Sequence, residues 1–463
     1  MNLISLKVIY TTFIYTFIIT FSFSSYASNN DEEKYKYLDL FGQVFDRVRS
    51  SYVEEVSDQE LIEKAIDGML SGLDPHSGYM NEEIWKEMQM DTKGKFGGLG
   101  IEITMEEGFV KVISPIEDTP AYEAGILAGD YIIQIDDTPV FGLTLNEAVE
   151  LMRGERGKPI TITVSRDGNE PFDVEIIRDY INIRSVKSEL VDDVGYLRIT
   201  SFNEQTESGL ISAIEEIESQ ANTKLQGYVL DIRSNPGGLL TQAVKVTDIF
   251  LERGEIVSTR GRDKKDIKRY RAKKTDRTNG KPLVVIIDGG SASASEIVAG
   301  ALKDHRRAII LGTQSFGKGS VQTIIPFQVL ESDSLTGIRL TTARYYTPSG
   351  RLIQRPYEDG NDLAYYRELY AEDRESKIDS LKLLRPKYKT KSGRTVYGGG
   401  GITPDIYIPY KNTLNSETAK IIRNPKRPIF NFASQYASQY KGNFLHFNNF
   451  KEDWTVSNSM LQD

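Results

Sequence analysis

The stretch PLVVIIDGGSASASEIVAG, residues 282–300, joins an apolar run to three serines on alternate positions. The run PLVVIID is typical of a buried strand, and the residues from about Ser295 favour a helix. A serine at such a turn has helix N-terminal amides beside it, and these are the donors that an oxyanion needs. The alternative is that Ser293 or Ser295 only caps the helix, with Glu296 in its first turn.

Similar apolar runs lie on both sides of this stretch. VGYLRI, GYVLDI and RAIILG, which begin at Val194, Gly227 and Arg307, favour buried strands. Helical patterns lie between them at 208–218 and 239–250. Alternating strands and helices predict an α/β core.

A lysine between glycines follows these runs, Lys318 in GTQSFGKGSVQT. To act as a base near pH 7, its pKa has to fall from about 10.4, which costs roughly 4 kcal/mol and requires burial. A solvated loop lysine is the alternative. The frame also resembles a phosphate-binding loop, but Gly319 stands where the Mg²⁺ ligand Ser or Thr is needed. Ser315 and Lys318 have Ser-x-x-Lys spacing, which needs the helical turn that Gly317 disfavours.

The segment DIRSNPGGLL, residues 231–240, directly continues the predicted strand GYVLDI. Its Asn-Pro-Gly-Gly sequence predicts a turn with exposed backbone amides. The alternative is a plain connection from a strand to a helix.

The chain before this core shows two other patterns. Apolar residues recur at helical spacing in 38–53 and in 58–70, which predicts helices. From about Gly94, short strands and glycine-rich turns take over. A capping box at Thr144 and Glu147 opens a further helix. These patterns predict a small β-rich module at 94–177.

Composition excludes several kinds of chemistry. The 463 residues contain no cysteine, which excludes disulfides, thiolate metal sites and cysteine nucleophiles. The formal net charge of -9 argues against a general nucleic-acid binder. Of the three histidines, we interpret His76 as structural, in its Asp-Pro-His-Ser turn, and His305 as a surface residue; the third is His446.

The first 27 residues have the features of an export signal. Lys7 precedes the apolar run 8–23, and Ser25-Tyr26-Ala27 is similar to a cleavage site. The run is long for a signal core and short for a membrane-spanning helix, so cleavage and retention as an inner-membrane anchor are both open. Either outcome predicts an exported protein of the periplasm or cell envelope.

Three core segments, DIRSNPGG, SASASEI and SFGKGSVQ in that order, resemble the carboxyl-terminal processing (tail-specific) serine peptidases. GLDPHSGYM, FGGLGIEI, TPAYEAGILAGDYI, TPSGRLIQ and GGGGITPDI also resemble blocks of that family, so the likeness covers about 38–409. It implies a multi-domain α/β protein with a ClpP/crotonase-like serine protease core, an inserted PDZ module and helical segments at both ends. The expected domains are a signal peptide or anchor at 1–27, a helical region at 30–92, a PDZ domain at 93–178, a protease core at 179–410 with a charged, helix-favouring insert at 357–398, and a C-terminal extension at 411–463.

Matched position by position, the resemblance implies a Ser-Lys peptidase with Ser293 as the nucleophile. Its base would be Lys318, which lies 25 residues later. Gln322 would orient the lysine, because residues an even number apart share one face of a strand. The amides of Ala294 and Gly238 would bind the oxyanion.

Three neighbouring side chains receive supporting roles on the same basis. Asp304 is interpreted as structural support for the site. Ser291 and Ser295 are interpreted as packing or capping residues.

The segment GGLGI is similar to the carboxylate-binding loop of PDZ modules, whose amides hold a chain-terminal carboxylate. The strand 101–104 would pair with the ligand. Val149 and Met152 would face an apolar C-terminal side chain, and Arg153 would sense the bound state. A PDZ-like fold that only regulates is the alternative. The residues implied for the loop are Gly97, Gly98, Leu99, Gly100 and Ile101.

The function expected from all of this is an exported serine endopeptidase that cleaves or trims proteins recognised by their C-terminal tails. Its expected partners are proteins or peptides with apolar C-termini, with an adaptor lipoprotein and a second copy of the chain as further candidates. We expect no cofactor, metal or nucleic acid. The alternatives are an inactive PDZ scaffold or chaperone on the same fold and, on the Gly312 loop alone, a nucleotide-binding protein.

Overall fold

The structure is a computed structural model that describes residues 33–166, 169–221, 224–263, 265–273, 276–328, 335–357, 365–366, 384–409, 415–424, 427–439 and 455. The expected signal or anchor at 1–27 and His446 lie outside the described residues. So do the middle of the insert at 357–398 and much of the extension at 411–463.

The helices are α1 (33–51), α2 (Asp58–Ser71), α3 (Glu82–Lys93), α4 (Pro120–Glu123), α5 (Leu145–Met152), α6 (Thr206–Gln220), α7 (Leu240–Ile249), α8 (Ala294–Asp304), α9 (Ser416–Ile422) and α10 (Pro428–Gln439). The strands are β1 (Gly78–Met80), β2 (Lys95–Gly98), β3 (Ile101–Glu106), β4 (Phe109–Pro115), β5 (Tyr131–Ile135), β6 (Thr138–Pro139), β7 (Pro159–Ser165), β8 (Phe172–Ile177), β9 (Asp179–Asn182), β10 (Val186–Val191), β11 (Val194–Ile199), β12 (Gly227–Asp231), β13 (Gly254–Gly261), β14 (Ile267–Ala272), β15 (Leu283–Ile287), β16 (Ile309–Gly312), β17 (Ser320–Gln328), β18 (Leu335–Tyr346), β19 (Lys387–Lys389), β20 (Thr395–Tyr397) and β21 (Ile406–Tyr407).

The chain divides into two compact units, and β17 and β18 each contribute residues to both. The first unit consists of Met1–Glu83, Gln322–Thr341 and Tyr357–Tyr365. The second unit consists of Ile84–Val321, Thr342–Pro356 and Tyr366–Asp463.

The first unit contains α1, α2 and β1. The expected helix at 58–70 is confirmed as α2, and the hydroxyl of its N-cap Ser57 accepts a hydrogen bond from the Glu60 amide at 3.2 Å. The Asp-Pro-His-Ser turn that follows is held by Asp74, whose carboxylate accepts the amides of His76 and Ser77 at 2.8 and 3.0 Å. The buried His76 is therefore part of a structured turn, in agreement with the structural role expected for it.

The core of the second unit is a six-stranded sheet with the order β10-β11-β12-β15-β16-β21. Five strands of this sheet run parallel to one another, namely β11, β12, β15, β16 and β21. The strand β10 pairs antiparallel with β11 at one edge. The four strands predicted from apolar runs are confirmed as β11, β12, β15 and β16, and the predicted helices between them as α6 and α7. Apolar residues of these strands pack with α6, α7 and α8 into one large core, as an α/β fold requires.

The β-rich module also lies in the second unit. Its sheet has the order β3-β4-β5-β7-β8, with β6 on β5. The inward-facing residues of β4, β5 and β7 form a separate core with Ala148 and Met152 of α5. The predicted capping box is confirmed, since Thr144 and Glu147 exchange hydrogen bonds at the start of α5.

The described end of the charged insert differs from the sequence-based expectation. It favours helix by composition, yet β19 and β20 form an antiparallel hairpin. Gly393 adopts a φ of 80° in the connecting turn, a conformation that glycine reaches without strain and that stops a helix.

Within the described part of the chain, no helix combines the length and the apolar character needed to cross a bilayer.

Candidate active site

Ser293 lies at the turn between β15 and α8, in an unusual backbone conformation. The helix expected near Ser295 begins at Ala294, so Ser293 occupies the N-cap position. Its φ of 53° and ψ of -112° are strained for a residue with a side chain. Strain of this kind persists only where surrounding contacts impose it, and it occurs at nucleophile elbows between a strand and a helix.

The two serines that flank Ser293 fasten this turn to the end of β12. The Ser291 hydroxyl donates to the carbonyl of Ile232 at 2.8 Å. The Ser295 hydroxyl donates to the carbonyl of Asn235 at 3.0 Å. Both serines are buried, so the packing role predicted for them is confirmed. The Ser291 hydroxyl also lies 3.2 Å from the Asp288 carboxylate.

The Asn-Pro-Gly-Gly turn lies directly against Ser293. The Gly237 amide donates to the side-chain oxygen of Asn235 at 2.9 Å, and Gly237 has a φ of 107°. A Cβ atom on Gly237 would lie only 2.8 Å from the Cβ of Ser293 and 3.0 Å from the amide nitrogen of Ala294. Only glycine therefore fits here, and the predicted amide donors Ala294 and Gly238 belong to segments that the structure brings together.

A buried carboxylate at the end of β12 supports this turn. Asp231 accepts hydrogen bonds from the side chains of Arg198, Arg233 and Tyr196 at 2.9, 2.6 and 2.6 Å. Burial alone would raise the pKa of Asp231, but these donors outweigh it and lower the pKa to about 2. Asp231 is therefore ionised at neutral pH and fixes the strand end from which the turn departs.

The residue that connects the two candidate catalytic segments is Glu296, on the first turn of α8. One of its carboxylate oxygens accepts the amides of Ser293 and Lys318 at 3.0 and 2.8 Å. The other accepts the Ser315 hydroxyl and the Gly317 amide at 2.5 and 2.8 Å. The side chain is completely buried, and this burial raises the pKa of Glu296 to about 7 against the opposing effect of the four donors.

Ser315 is ruled out as the nucleophile of a Ser-x-x-Lys pair by its contacts. It is completely buried, it donates its proton to Glu296, and it accepts the Ile402 amide at 2.6 Å. Its single proton is given to a buried carboxylate, and its oxygen is closed off from solvent and substrate. The segment Ser315–Lys318 also has no helical turn.

The expectation that Lys318 and Gln322 share one face of a strand is wrong, because β17 begins only at Ser320. Gln322 belongs to the first unit, where its side-chain amide donates to the Thr341 hydroxyl at 3.0 Å. Its role in orienting the lysine stays a prediction.

Asp304, at the C-terminal end of α8, forms a buried ion pair. Its carboxylate lies 3.0 Å from the Arg351 guanidinium, and both side chains are only 1% exposed. The Thr347 hydroxyl and the Ser349 amide also donate to it, at 2.8 and 3.0 Å. This network ties α8 to the TPSGR segment, so the structural support expected of Asp304 is confirmed.

His305 is not the surface residue that was expected. It is half-buried at the C-cap of α8, and its Nε2 lies 2.7 Å from the carbonyl oxygen of Glu255. Its ring fills the space beside Gly254, where a Cβ atom would collide with it. The two following arginines suggested exposure, whereas the helix end points this ring inward.

Only part of the expected carboxylate-binding loop is a loop. Gly97 and Gly98 belong to β2, which pairs antiparallel with β9. Leu99 and Gly100 form the connection, and Ile101 opens β3. Gly100 has a φ of 82°. A Cβ atom on Gly100 would lie only 2.3 Å from the Cβ of Thr119, so no larger residue fits. The carboxylate-binding role expected of these five residues stays a prediction.

The helix α5 places its three expected residues differently. Met152 is nearly buried in the core of the module, whereas Val149 is half-exposed and better placed to meet a ligand. Arg153 lies at the C-cap with its guanidinium 5.4 Å from the centre of the Phe96 ring. Sequence reasoning missed Arg178, which donates to the last carbonyls of α5, those of Leu151 and Met152, both at 3.0 Å.

Among the described residues, no group of three or more His, Asp or Glu side chains is arranged to hold a metal ion.

Comparison with known proteins gives three family matches. Residues 193–359 match peptidase family S41, residues 111–166 match the PDZ domain, and residues 20–84 match the N-terminal domain of the activating protease CtpB. The chain is 59% identical over 332 residues to the carboxy-terminal-processing protease of Bartonella bacilliformis, covering 71% of this chain and 75% of the relative. It is 34% identical over 331 residues to the carboxy-terminal processing protease CtpA of Bacillus subtilis, covering 71% and 68%.

Among solved structures, the photosystem II D1 C-terminal processing protease is similar at 26% identity and a TM-score of 0.40, covering 84% of this chain and 98% of that one. On the family matches and the 59% identity to the Bartonella bacilliformis protein, the chain belongs to peptidase family S41, as a carboxy-terminal-processing serine protease with a PDZ domain.

Proposed function

We propose that Ser293 and Lys318 form the catalytic dyad of this protease. The observation that carries the proposal is the shared anchor: one oxygen of Glu296 accepts the amides of both residues. The segments that carry Ser293 and Lys318, 25 residues apart, therefore meet on a single buried carboxylate. The strained backbone of Ser293 is a second support, because such strain is concentrated at functional sites.

In the proposed reaction, neutral Lys318 Nζ takes the proton of the Ser293 hydroxyl while Oγ bonds to the scissile carbonyl carbon. The carbonyl π electrons move to oxygen, and the amides of Ala294 and Gly238 bind the resulting oxyanion. When the intermediate collapses, the C–N bond breaks and the leaving amine takes the proton from Lys318. A water molecule then repeats the steps on the acyl-enzyme, releasing the new C-terminus and the Ser293 hydroxyl.

Two further features of the proposal concern geometry. The Ala294 amide is the first of α8, so the positive end of the helix dipole points at the oxyanion position. Gln322 is proposed to orient the lysine through its side-chain amide.

The dyad is tested by cleavage of an unfolded model protein that ends in an apolar residue. We expect Ser293→Ala and Lys318→Ala to lose activity. Lys187→Ala and Ser188→Ala are the controls, since they remove the same side-chain types at exposed positions of β10. Cleavage by Ser293→Ala at the wild-type rate would contradict the assignment.

We also propose that substrates are selected by their C-terminal tails. The strand β3 is the outermost of its sheet in the described residues, so its free edge supports addition of a ligand strand. The amides of Leu99, Gly100 and Ile101 are proposed to hold the terminal carboxylate, and Val149 to contact the apolar last side chain. Arg153 is proposed as the sensor, and its buried Nε has no hydrogen-bond partner among the described residues.

The tail proposal is tested with fluorescent peptides on the full chain carrying Ser293→Ala. A peptide with an apolar C-terminus should bind, and the same peptide with an amidated C-terminus should bind at least about 10-fold more weakly, as expected for a lost charge-assisted hydrogen bond. Val149→Glu should weaken binding, while Asn146→Glu, which adds the same charge at an exposed position of α5, serves as its control. Equal binding of the free and amidated peptides would contradict the proposal.

Export to the periplasm or cell envelope is proposed on residues 1–27 alone. Fractionation of cells and the mass of the N-terminal peptide of the isolated protein test it, since cleavage after Ala27 and retention of Met1 give different masses. Recovery of the full-length chain in the cytoplasm would contradict it.

Protein partners are proposed on the first unit. The apolar stripe of α1, which includes Leu38, Phe41, Val44 and Val48, is exposed, which supports contact with a second copy or an adaptor lipoprotein. Light scattering of the isolated protein distinguishes a homodimer from a monomer that needs an adaptor. A retained N-terminal segment would add membrane association.

A further inference from the structure

Tyr345, on β18, contacts the backbone of both residues of the proposed dyad. Its hydroxyl lies 3.0 Å from the carbonyl oxygen of Ser293 and makes a short hydrogen bond with the carbonyl oxygen of Lys318. Its own amide donates to the carbonyl of Gly319 at 2.9 Å. The side chain is 1% exposed, so no water competes for these acceptors.

The hydroxyl of Tyr345 complements the carboxylate of Glu296. Glu296 accepts the N–H groups of Ser293 and Lys318, whereas Tyr345 donates to the C=O groups of the same two residues. The N–H of a residue belongs to the peptide plane before its Cα, and its C=O belongs to the plane after it. For each residue, both planes are therefore held.

Holding both planes fixes φ and ψ, and with them the direction of the Cα–Cβ bond. For Ser293 this imposes the strained φ of 53° that would otherwise relax. For Lys318 it fixes the point from which the flexible side chain starts. Since a phenol has a single proton, one O–H group is shared between the two carbonyls and couples the positions of the two residues.

We propose that Tyr345 is a positioning residue of the proposed dyad, acting through its hydroxyl on the backbone of Ser293 and Lys318 without touching the substrate. This rests on the proposed function of those two residues. Loss of the hydroxyl should let the two backbone segments shift independently. Because misplacement of a reacting group by about 1 Å costs up to about 100-fold in rate, the effect should fall on the chemical step.

The test compares the full chain with its Tyr345→Phe and Tyr346→Phe variants. Tyr346 is the next residue on the same strand, and its ring lies 3.9 Å from the Arg260 guanidinium. Tyr346→Phe therefore removes the same phenol hydroxyl from a neighbouring side chain that packs on Arg260 and not on the dyad. We expect Tyr345→Phe to lower kcat about 10- to 100-fold with unchanged KM, and Tyr346→Phe to leave both within about twofold.

A second readout avoids turnover altogether: the rate at which an organophosphonate reagent modifies Ser293, followed by mass spectrometry. Tyr345→Phe should be labelled about 10-fold more slowly while its thermal midpoint stays close to that of the Tyr346→Phe control. Wild-type kcat and labelling in Tyr345→Phe would overturn the proposal. So would a loss of activity that only follows a lowered thermal midpoint.

The outcome also separates this proposal from the dyad itself. If Ser293→Ala and Lys318→Ala still cleave, the dyad is wrong whatever Tyr345→Phe does. If they are inactive and Tyr345→Phe is fully active, only the positioning role is wrong.

Discussion

Replacing Glu296 with glutamine should change how the stability of the protein depends on pH. Burial raises the pKa of this carboxyl from 4.5 to about 7 in the folded protein. Between these values the folded state holds a proton that the unfolded chain releases, so the free energy of unfolding falls as pH rises from 4.5 through 7. Each pH unit over which the proton numbers differ is worth about 1.4 kcal/mol, which amounts to about 2 to 3 kcal/mol between pH 5 and pH 8.

The assay is urea unfolding at pH 5 and pH 8 of two proteins, Ser293→Ala and Ser293→Ala with Glu296→Gln, so that self-cleavage cannot interfere. Glutamine cannot accept all four hydrogen bonds, which destabilises the variant equally at both pH values. The background protein should lose about 2 to 3 kcal/mol relative to the variant on going from pH 5 to pH 8. Glu189→Gln, at an exposed position on β10, is the control and should show no such difference. A stability difference that is the same at both pH values would refute the reasoning.

Three other substitutions test the same region. Gly237→Ala should abolish cleavage while the protein stays folded, because its Cβ would meet that of Ser293 at 2.8 Å; wild-type turnover would show that the turn can move. Arg351→Met leaves the Asp304 carboxylate buried without its partner, so it should lower the free energy of unfolding by about 3 to 5 kcal/mol. Urea unfolding measures this loss, and a loss under about 1 kcal/mol would contradict a paired role. Ser315→Ala removes the acceptor of the Ile402 amide, so it should lower the free energy of unfolding by about 1 to 3 kcal/mol. Ser293 should still react with the organophosphonate in this variant, and a complete loss of labelling would support Ser315 as the nucleophile instead.

The sequence was sufficient to predict the features that depend on local pattern. Buried parallel strands appear as short apolar runs, so β11, β12, β15 and β16 were found where the runs lie. The capping box at Thr144 needs only residues within one helical turn, and it too was predicted correctly. The turn at Ser293 was predicted for the same reason.

The contacts that hold the candidate site could not be predicted in this way. Glu296 looks like an ordinary first-turn glutamate of a helix, and its second role depends on a loop 22 residues further along. In the sequence, Tyr345 looks like any inward-facing tyrosine of an alternating strand. Only the fold brings its hydroxyl to the carbonyl of Ser293, 52 residues away. The strand position of Gly97 and the inward position of His305 could not be predicted for the same reason, since β9 and Glu255 are distant in sequence.

The long-range hydrogen bonds that hold the serine turn and its neighbouring loop in the core also bear on when, during folding, the candidate site forms. Ser295 reaches across 60 residues to Asn235, and Ser315 is met by an amide 87 residues later. Contacts of such long range close late in folding, because the chain between them has to be ordered first. On the proposed assignment, the turn of a newly made chain therefore presents its nucleophile only after these distant contacts have closed.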